Sequence, residues 1–198
     1  MMRSVALLLA TLTLSGCDSS AQDLRKAMNL LYQGHSKAGF MHLQDLAVAG
    51  YAPAQFRLAM LYLQGRVTTK ELADAERWLA LAADRGNLGA QYYQAVLWLS
   101  GQARRGSVQA GIEELERLAE QGFVPAHLQL ALFYEKSKIL AQDDSKALTW
   151  YRSAAERGNR QAIQRLLDAY QRGELGLSPD ADDARYWRER LVNKPFSR

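Results

Sequence analysis

The chain is poor in the residues that build disulfide frameworks and metal sites. It contains one cysteine, Cys17, and three histidines among 198 residues. A single cysteine excludes a disulfide within the chain, even in a compartment that would permit one. No HxxxH, CxxC or EF-hand pattern occurs, so the convergent ligands of a metal site are missing. We therefore expect neither a metal nor another cofactor.

Catalytic groups are equally scarce. Nucleophilic catalysis needs a serine, threonine or cysteine held against a base, yet the histidines His35, His42 and His127 lie in different segments of the chain. We expect His35 in a solvated turn and His42 and His127 on helix surfaces. The sequence thus predicts a protein that is not an enzyme.

The chain also has no strong charge of one sign. Its net charge is +4, and lysines and arginines alternate with acids, so no basic stripe for nucleic acid is present. Arg104 and Arg105 fall in a loop between two predicted helices, where they face solvent, an acidic partner or phospholipid head groups. We expect no nucleic-acid partner.

No hydrophobic run in the first residues is long enough for a permanent membrane span. Val5–Leu14 is a moderately apolar run of ten residues, about half of the roughly 20 that cross a bilayer as a helix. Arg3 precedes it and small residues follow, which is the order of a secretory signal. Leu14-Ser15-Gly16-Cys17 then resembles the lipobox of bacterial lipoproteins.

That resemblance implies a signal peptide over residues 1–16 and a lipidated Cys17 at the start of the mature chain. Residues 17–22 are then the lipidated cysteine and a short tether. Three acyl chains would hold the protein on a membrane permanently, so we expect a lipid anchor in the cell envelope that faces the periplasm. Asp18 resembles the inner-membrane retention signal of enteric bacteria, but the choice between inner and outer membrane stays open, as does a free or intermolecularly paired Cys17.

The rest of the chain is dominated by a 36-residue period. Glycine recurs in one register, with an alanine four residues later and an aromatic residue eight residues after that. The glycines are Gly50, Gly86, Gly122 and Gly158; the alanines are Ala54, Ala90, Ala126 and Ala162; the aromatics are Tyr62, Trp98, Tyr134 and Tyr170. Such self-similarity is typical of repeat proteins.

Within each period, apolar residues are spaced by three and four, as in a helix, and no long segment alternates as a strand does. Each unit is therefore predicted to form two antiparallel helices, in which the recurrent glycines are left-handed C-caps. Small residues are predicted where helices cross and large ones between them. The small ones are Ala59, Ala95 and Ala131, facing Gly39, Ala75, Gly111 and Ala147; the large ones are Leu43, Leu79, Leu115 and Tyr151.

Three segments, AQFRLAMLYLQG from Ala54, AERWLALAADRG from Ala75 and ALTWYRSAAERG from Ala147, resemble the Sel-1-like repeat, a relative of the tetratricopeptide repeat. The resemblance implies an all-α fold, a right-handed α-solenoid of about five antiparallel helix pairs over residues 23–192. A first helix is expected from Asp23 to Gln33 and a last one from Asp182 to Val192, with residues 193–198 as a C-terminal tail.

In tetratricopeptide-like arrays the first helix of each pair lines a concave side that binds partners. Carrying the register over gives a candidate groove of eight apolar residues: Phe56, Met60, Leu63, Tyr92, Val96, Leu99, Leu128 and Leu132. An apolar surface of this kind marks a binding site. The alternative is that these residues pack between neighbouring repeats.

The function that this resemblance implies is a scaffold that binds a protein partner in an envelope complex, in secretion, exopolysaccharide export or cell-wall assembly. One alternative is a protein that binds or hydrolyses cell-wall fragments or β-lactams. Another is a surface-exposed factor that binds a host protein. Fold-level analogy cannot choose among these pathways.

Overall fold

The computed structural model describes residues 19–65 and 71–193, and these residues form α-helices and connections without a β-strand. Ten helices follow one another along this part of the chain: α1 (19–32), α2 (Ser36–Val48), α3 (Ala52–Gln64), α4 (Leu72–Ala83), α5 (Leu88–Leu99), α6 (Val108–Glu120), α7 (Val124–Lys136), α8 (Asp144–Glu156), α9 (Arg160–Arg172) and α10 (Ala181–Asn193). None of them is both long enough and apolar enough to cross a bilayer.

The predicted ends of the array need small corrections. Residues 19–22 of the predicted tether belong to helix α1. Helix α10 exceeds the predicted last helix by one residue at each end. The predicted signal peptide, Cys17 and residues 194–198 of the predicted tail lie outside the described residues.

Short polar side chains begin several of these helices. The carboxylate of Asp143 accepts the backbone N–H of Lys146 at 2.9 Å, and the Asn159 side chain accepts that of Ala162 at 3.0 Å. Each contact satisfies an N–H group that the first turn of a helix leaves without a partner. At helix ends, the recurrent glycines have φ between +78° and +90° as predicted, which is a region that other residues avoid.

The chain divides into two compact units, Met1–Gln94 and Ala95–Arg198. In the first unit, α3 packs against both α2 and α4. Its core contains Leu43, Leu58 and Leu79, each fully buried. Gly39 allows α2 to approach α1 closely, because a Cβ there would lie 2.8 Å from the Leu31 backbone nitrogen.

In the second unit, consecutive helices from α6 to α10 pack against one another. Leu115, Leu130 and Leu166 are completely buried, and Tyr151 is 1% exposed. A Cβ on Gly111 would lie 2.9 Å from the Ala95 carbonyl oxygen, so glycine is needed where α6 meets α5. The predicted alternation of small and large residues is confirmed, since every position named for it is buried.

Candidate partner-binding surfaces

In the first unit, four candidate groove residues lie on α3 and α5 and are half-buried: Phe56, Met60, Leu63 and Tyr92. We call this set the unit-1 patch. Tyr93, which the sequence did not single out, joins its aromatic members. The Tyr93 ring centroid lies 5.8 Å from that of Phe56 and 5.2 Å from that of Tyr92. The patch therefore has an aromatic part and an aliphatic part.

Phe56 is partly used for packing. A Cβ on Gly89 would lie 3.0 Å from Phe56 Cζ, so the ring rests directly on the α5 backbone. One side of the Phe56 ring is therefore used for packing between repeats, which is the alternative prediction for this residue. Burial raises the pKa of Tyr92 to about 12, so its hydroxyl keeps its proton at neutral pH and stays able to donate.

In the second unit, Val96, Leu128 and Leu132 are half-buried on α5 and α7. We call these three residues the unit-2 patch. Leu99 is different, because it is only 3% exposed and its Cγ would lie 3.2 Å from a Cβ on Gly111. The prediction that Leu99 lines the groove is therefore corrected: the close approach of α6 turns this side chain into the core.

A polar network follows on α7, α8 and α9. Glu135 occupies the repeat position of Leu63 and Leu99, and Tyr151 that of Leu79 and Leu115. The Tyr151 hydroxyl donates to Glu135 Oε2 at 2.5 Å, and Arg165 Nη2 lies 2.6 Å from Glu135 Oε1. Arg165 also donates to Glu174 Oε2 at 2.6 Å. A leucine pair of the sister repeats is thus replaced by charged and hydroxyl groups that satisfy one another.

The network keeps Glu135 ionised. Burial raises the pKa of this carboxyl, but hydrogen bonds from Arg165 and Tyr151 outweigh it and leave the pKa below its ordinary value. Burial and the neighbouring carboxylate together raise the pKa of Tyr151. With Tyr151 protonated and Arg165 charged, Glu135 receives donors on both oxygens, which is the condition under which a buried carboxylate is tolerated.

The sequence prediction for His127 is wrong. This residue is 3% exposed and packs 5.7 Å from the Trp150 ring, and is not on a helix surface. Its sister residues Gln55 and Gln91 donate from Nε2 to the carbonyls of Ala47 and Ala83, the residues eight positions earlier. Imidazole therefore takes the place of a buried amide.

The environment of His127 favours the neutral ring. Ser153 Oγ accepts a hydrogen bond from Arg157 at 2.8 Å and lies 3.1 Å from His127 Nδ1, to which it can donate. The ring proton then belongs on Nε2, which is a buried nitrogen. Burial, followed by the charge of Arg157, lowers the pKa of His127, against an opposing interaction with the Ala119 backbone.

The other two histidines lie on α2 or just before it. His35 is exposed in the connection before α2, as predicted, and His42 is half-buried on α2. Residues 19–65 and 71–193 contain no group of three or more His, Cys, Asp or Glu side chains that could hold a metal ion. Glu114 is paired with Arg117 at 2.6 Å within one helix, which is a surface ion pair and not a catalytic dyad.

Consecutive helices of near-equal length, identical glycine turns and a repeated small-large core define an α-helical repeat protein. The Sel1 repeat family model matches residues 52–87, 124–159 and 168–190. The first two matches coincide with the pairs α3–α4 and α7–α8. Residues 88–123 fall between the matches but keep the register, with Ala90 fully buried and Gly122 at φ +83°.

Two solved structures share this fold. A Sel1 repeat protein from Oxalobacter formigenes is 27% identical, with a TM-score of 0.64, over 78% of this chain and 61% of its own length. A protective antigen of uropathogenic Escherichia coli strains that displays the SLR fold is 29% identical, with a TM-score of 0.63, over 77% of this chain and 32% of its own length. The chain thus spans less than two thirds of either relative.

The predicted fold class, an all-α solenoid of Sel-1-like repeats, is confirmed by these similarities. Sel1-repeat proteins mediate protein–protein interactions, and the fold is typically a non-catalytic scaffold. These findings support the prediction of a repeat module that binds protein.

Proposed function

We propose that the protein is a membrane-anchored periplasmic scaffold that binds a protein partner of an envelope complex through the first helices of its repeats. The observation that carries this proposal is the half-burial of equivalent apolar side chains in both units, in the unit-1 patch and the unit-2 patch. Half-buried aliphatic and aromatic groups on a rigid helix lose little conformational entropy when a partner covers them. They therefore suit an amphipathic helix or an extended peptide.

Met60 and Val96 are the best positions for testing the partner surface. Both are half-buried, so a glutamate can reach solvent in the free protein but would be desolvated beneath an apolar partner. We would crosslink intact cells, recover the tagged protein, and compare wild type with Met60→Glu and Val96→Glu. Each variant would first be shown by circular dichroism and urea unfolding to keep its fold.

Matched controls are available on second helices. Ala73 on α4 and Thr149 on α8 are exposed, so Ala73→Glu and Thr149→Glu add the same charge to each unit away from the first helices. The proposal requires an envelope protein that wild type and both controls recover and that Met60→Glu or Val96→Glu loses. Recovery of the same proteins by all five chains would exclude these patches as the binding surface.

The anchor is a separate part of the proposal. It is supported by the signal-like residues 1–16 and the lipobox-like Leu14-Ser15-Gly16-Cys17. We expect metabolic palmitate labelling of the wild-type chain and none of Cys17→Ser, together with release of the variant from the membrane fraction. Labelling of Cys17→Ser would contradict a lipid anchor at this residue. Protease treatment of intact cells would distinguish a periplasmic from a surface location.

A further inference from the structure

The connection between α7 and α8, residues 137–143, exposes two consecutive large aliphatic side chains. Ile139 is 49% exposed and Leu140 is 46% exposed. They lie outside the unit-1 and unit-2 patches, and neither belongs to a repeated position of the register. A single exposed aliphatic residue is common on protein surfaces, whereas adjacent ones in a loop indicate an interaction site.

Ser137 gives this connection a defined conformation. It stands where the other repeats have Gly65, Gly101 and Gly173, and its backbone is extended instead of left-handed. The Ser137 hydroxyl oxygen lies 3.1 Å from the backbone nitrogens of both Ile139 and Leu140, so it can accept from their N–H groups. The backbone donors of the two exposed residues are therefore already satisfied within the loop.

The connection between α5 and α6, residues 100–107, lies beside it. A Cβ on Gly101 would be 3.5 Å from Ile139 Cδ1, which places the two connections in contact. Gly106 lies so close to the Trp98 indole that any added Cβ would collide with the ring, so this second connection packs against Trp98. Arg104 and Arg105 are exposed on it.

The charges of the two connections are mostly positive. Arg104, Arg105 and Lys138 are exposed cations, and the acid within residues 100–107 and 137–143 is Asp143. The Asp143 carboxylate is engaged at the start of α8, where it accepts from the Lys146 backbone and lies 3.7 Å from Lys146 Nζ. We call Arg104, Arg105, Lys138, Ile139 and Leu140 the basic–aliphatic edge.

We propose that the basic–aliphatic edge docks on the surface of an anionic phospholipid bilayer, with Ile139 and Leu140 entering the head-group boundary and the three cations meeting lipid phosphates. Two features favour lipid over an acidic protein. The N–H groups of Ile139 and Leu140 are satisfied internally, which lowers the cost of placing this backbone in an apolar medium. Exposed aliphatic side chains with cations on the same and the adjoining connection also match the layering of a bilayer surface, apolar below and anionic above.

This inference does not rest on the lipid anchor or on the partner surface. Its test uses the full chain with Cys17→Ser, so that acyl chains do not contribute, and vesicles of phosphatidylglycerol and phosphatidylethanolamine compared with phosphatidylcholine. A polarity-sensitive fluorophore on Leu140→Cys should shift to the blue on the anionic vesicles. The same fluorophore on Glu113→Cys, an exposed position on α6, should not shift. The emission shift reports contact between the basic–aliphatic edge and lipid, even if another part of the chain also binds the vesicle.

Binding measurements on variants then separate the contribution of the aliphatic side chains from that of the cations. Ile139→Ser with Leu140→Ser should weaken binding to anionic vesicles at least about ten-fold, as expected when two side chains no longer leave water. Arg104→Gln, Arg105→Gln and Lys138→Gln should each weaken it about five-fold at low salt. Val192→Ser is the matched control, since Val192 is 75% exposed on α10, and should bind like the parent chain.

An unshifted fluorophore at position 140 on anionic vesicles would overturn the proposal. So would equal vesicle binding by the Ile139/Leu140 variant and the Val192 control. A photocrosslinker at position 140 that yields adducts with one protein in cells, and none with lipid, would assign the edge to an acidic protein partner instead.

Discussion

The Tyr151 hydroxyl donates a 2.5 Å hydrogen bond to Glu135 Oε2, at repeat positions where sister repeats carry leucine. The two residues lie on α8 and α7, and Arg165 holds the other carboxylate oxygen. One repeat has therefore exchanged apolar packing for a charged hydrogen-bond network without leaving the register of the fold.

We expect Tyr151→Phe to lower the free energy of unfolding by about 1.5–3 kcal/mol, because a hydrogen bond to a largely buried charged group is lost and Glu135 keeps its desolvation cost. Urea unfolding at pH 7 measures this. Tyr32→Phe is the control, since Tyr32 is 94% exposed, and should change the midpoint little. Equal midpoints for Tyr151→Phe and wild type would show that the hydroxyl is not needed.

The leucine pair of the sister repeats can be restored by Glu135→Leu with Tyr151→Leu. Each single change leaves a buried polar partner behind, whereas the double change removes both and leaves Arg165 paired with Glu174. We expect the double variant to be more stable than the sum of the single losses predicts, by about 1–3 kcal/mol. Additive losses in the double-mutant cycle would mean that the two side chains act independently.

Buried His127 makes stability sensitive to mild acid. Its pKa is lowered in the folded chain, so below the unfolded value of about 6.5 the unfolded state binds the proton more readily. Stability is therefore lost as the pH falls from about 6.5 through the lower pKa of the folded state. The loss amounts to about 1.4 kcal/mol for each unit by which the two pKa values differ.

His127→Gln should reduce this loss, because glutamine fills the equivalent position in two sister repeats and does not titrate. The measurement is the free energy of unfolding at pH 7 and pH 5 in wild type, His127→Gln and His35→Gln. His35 is exposed, so its variant should follow wild type. A His127→Gln protein with the same pH dependence as wild type would contradict the assignment.

The two helical glycines Gly89 and Gly111 should respond differently to alanine. A Cβ at position 111 meets the Ala95 carbonyl and the Leu99 backbone nitrogen at 2.9 and 3.0 Å, so α5 and α6 must separate. At position 89 the nearest atom is the end of the Phe56 ring at 3.0 Å, which can turn aside. We expect Gly111→Ala to destabilise the fold by about 1–3 kcal/mol and Gly89→Ala by less.

Thermal unfolding midpoints of the two alanine variants, measured side by side, test this difference, and the Gly111→Ala midpoint should be the lower one. Similar midpoints for both would indicate that the backbone contact at Gly111 relaxes as easily as the aromatic ring at Gly89 moves.

The repeat and its register could be predicted from the sequence alone. The glycine turns and the large core residues recur four times, and the crossing alanines of the first helices recur three times, so each prediction is supported by its sister repeats. The arginine that precedes two of these turns contacts the end of its own helix: Arg85 donates to the Leu81 carbonyl and Arg157 to that of Ser153.

What the sequence missed are the exceptions to the repeat. The sequence predicts His127 on the surface because polar glutamine fills its position in two sister repeats, whereas those glutamines are hydrogen-bonded to the preceding helix end. The Glu135–Arg165 pair spans thirty positions and joins two repeats, so no single period reveals it. Comparing Glu135 with Leu63 and Leu99 in register was the available signal for a site where the apolar pattern breaks.

The partner-binding residues remain a prediction, because half-burial is compatible both with packing and with recognition. Phe56 and Leu99 illustrate the difficulty: one ring packs on Gly89 and the other side chain is drawn into the core. Both depend on how closely a neighbouring helix approaches, which the spacing of residues within one helix does not specify.

Site-specific photocrosslinking in living cells tests the scaffold function most directly. A photoreactive residue would be placed at Met60 or Leu132, and at the exposed control positions Ala73 and Glu113 on second helices. We expect the first two positions to yield an adduct with the same envelope protein and the controls to yield none. Adducts only from the controls, or none from any position while the protein stays folded, would contradict a partner-binding surface on the first helices.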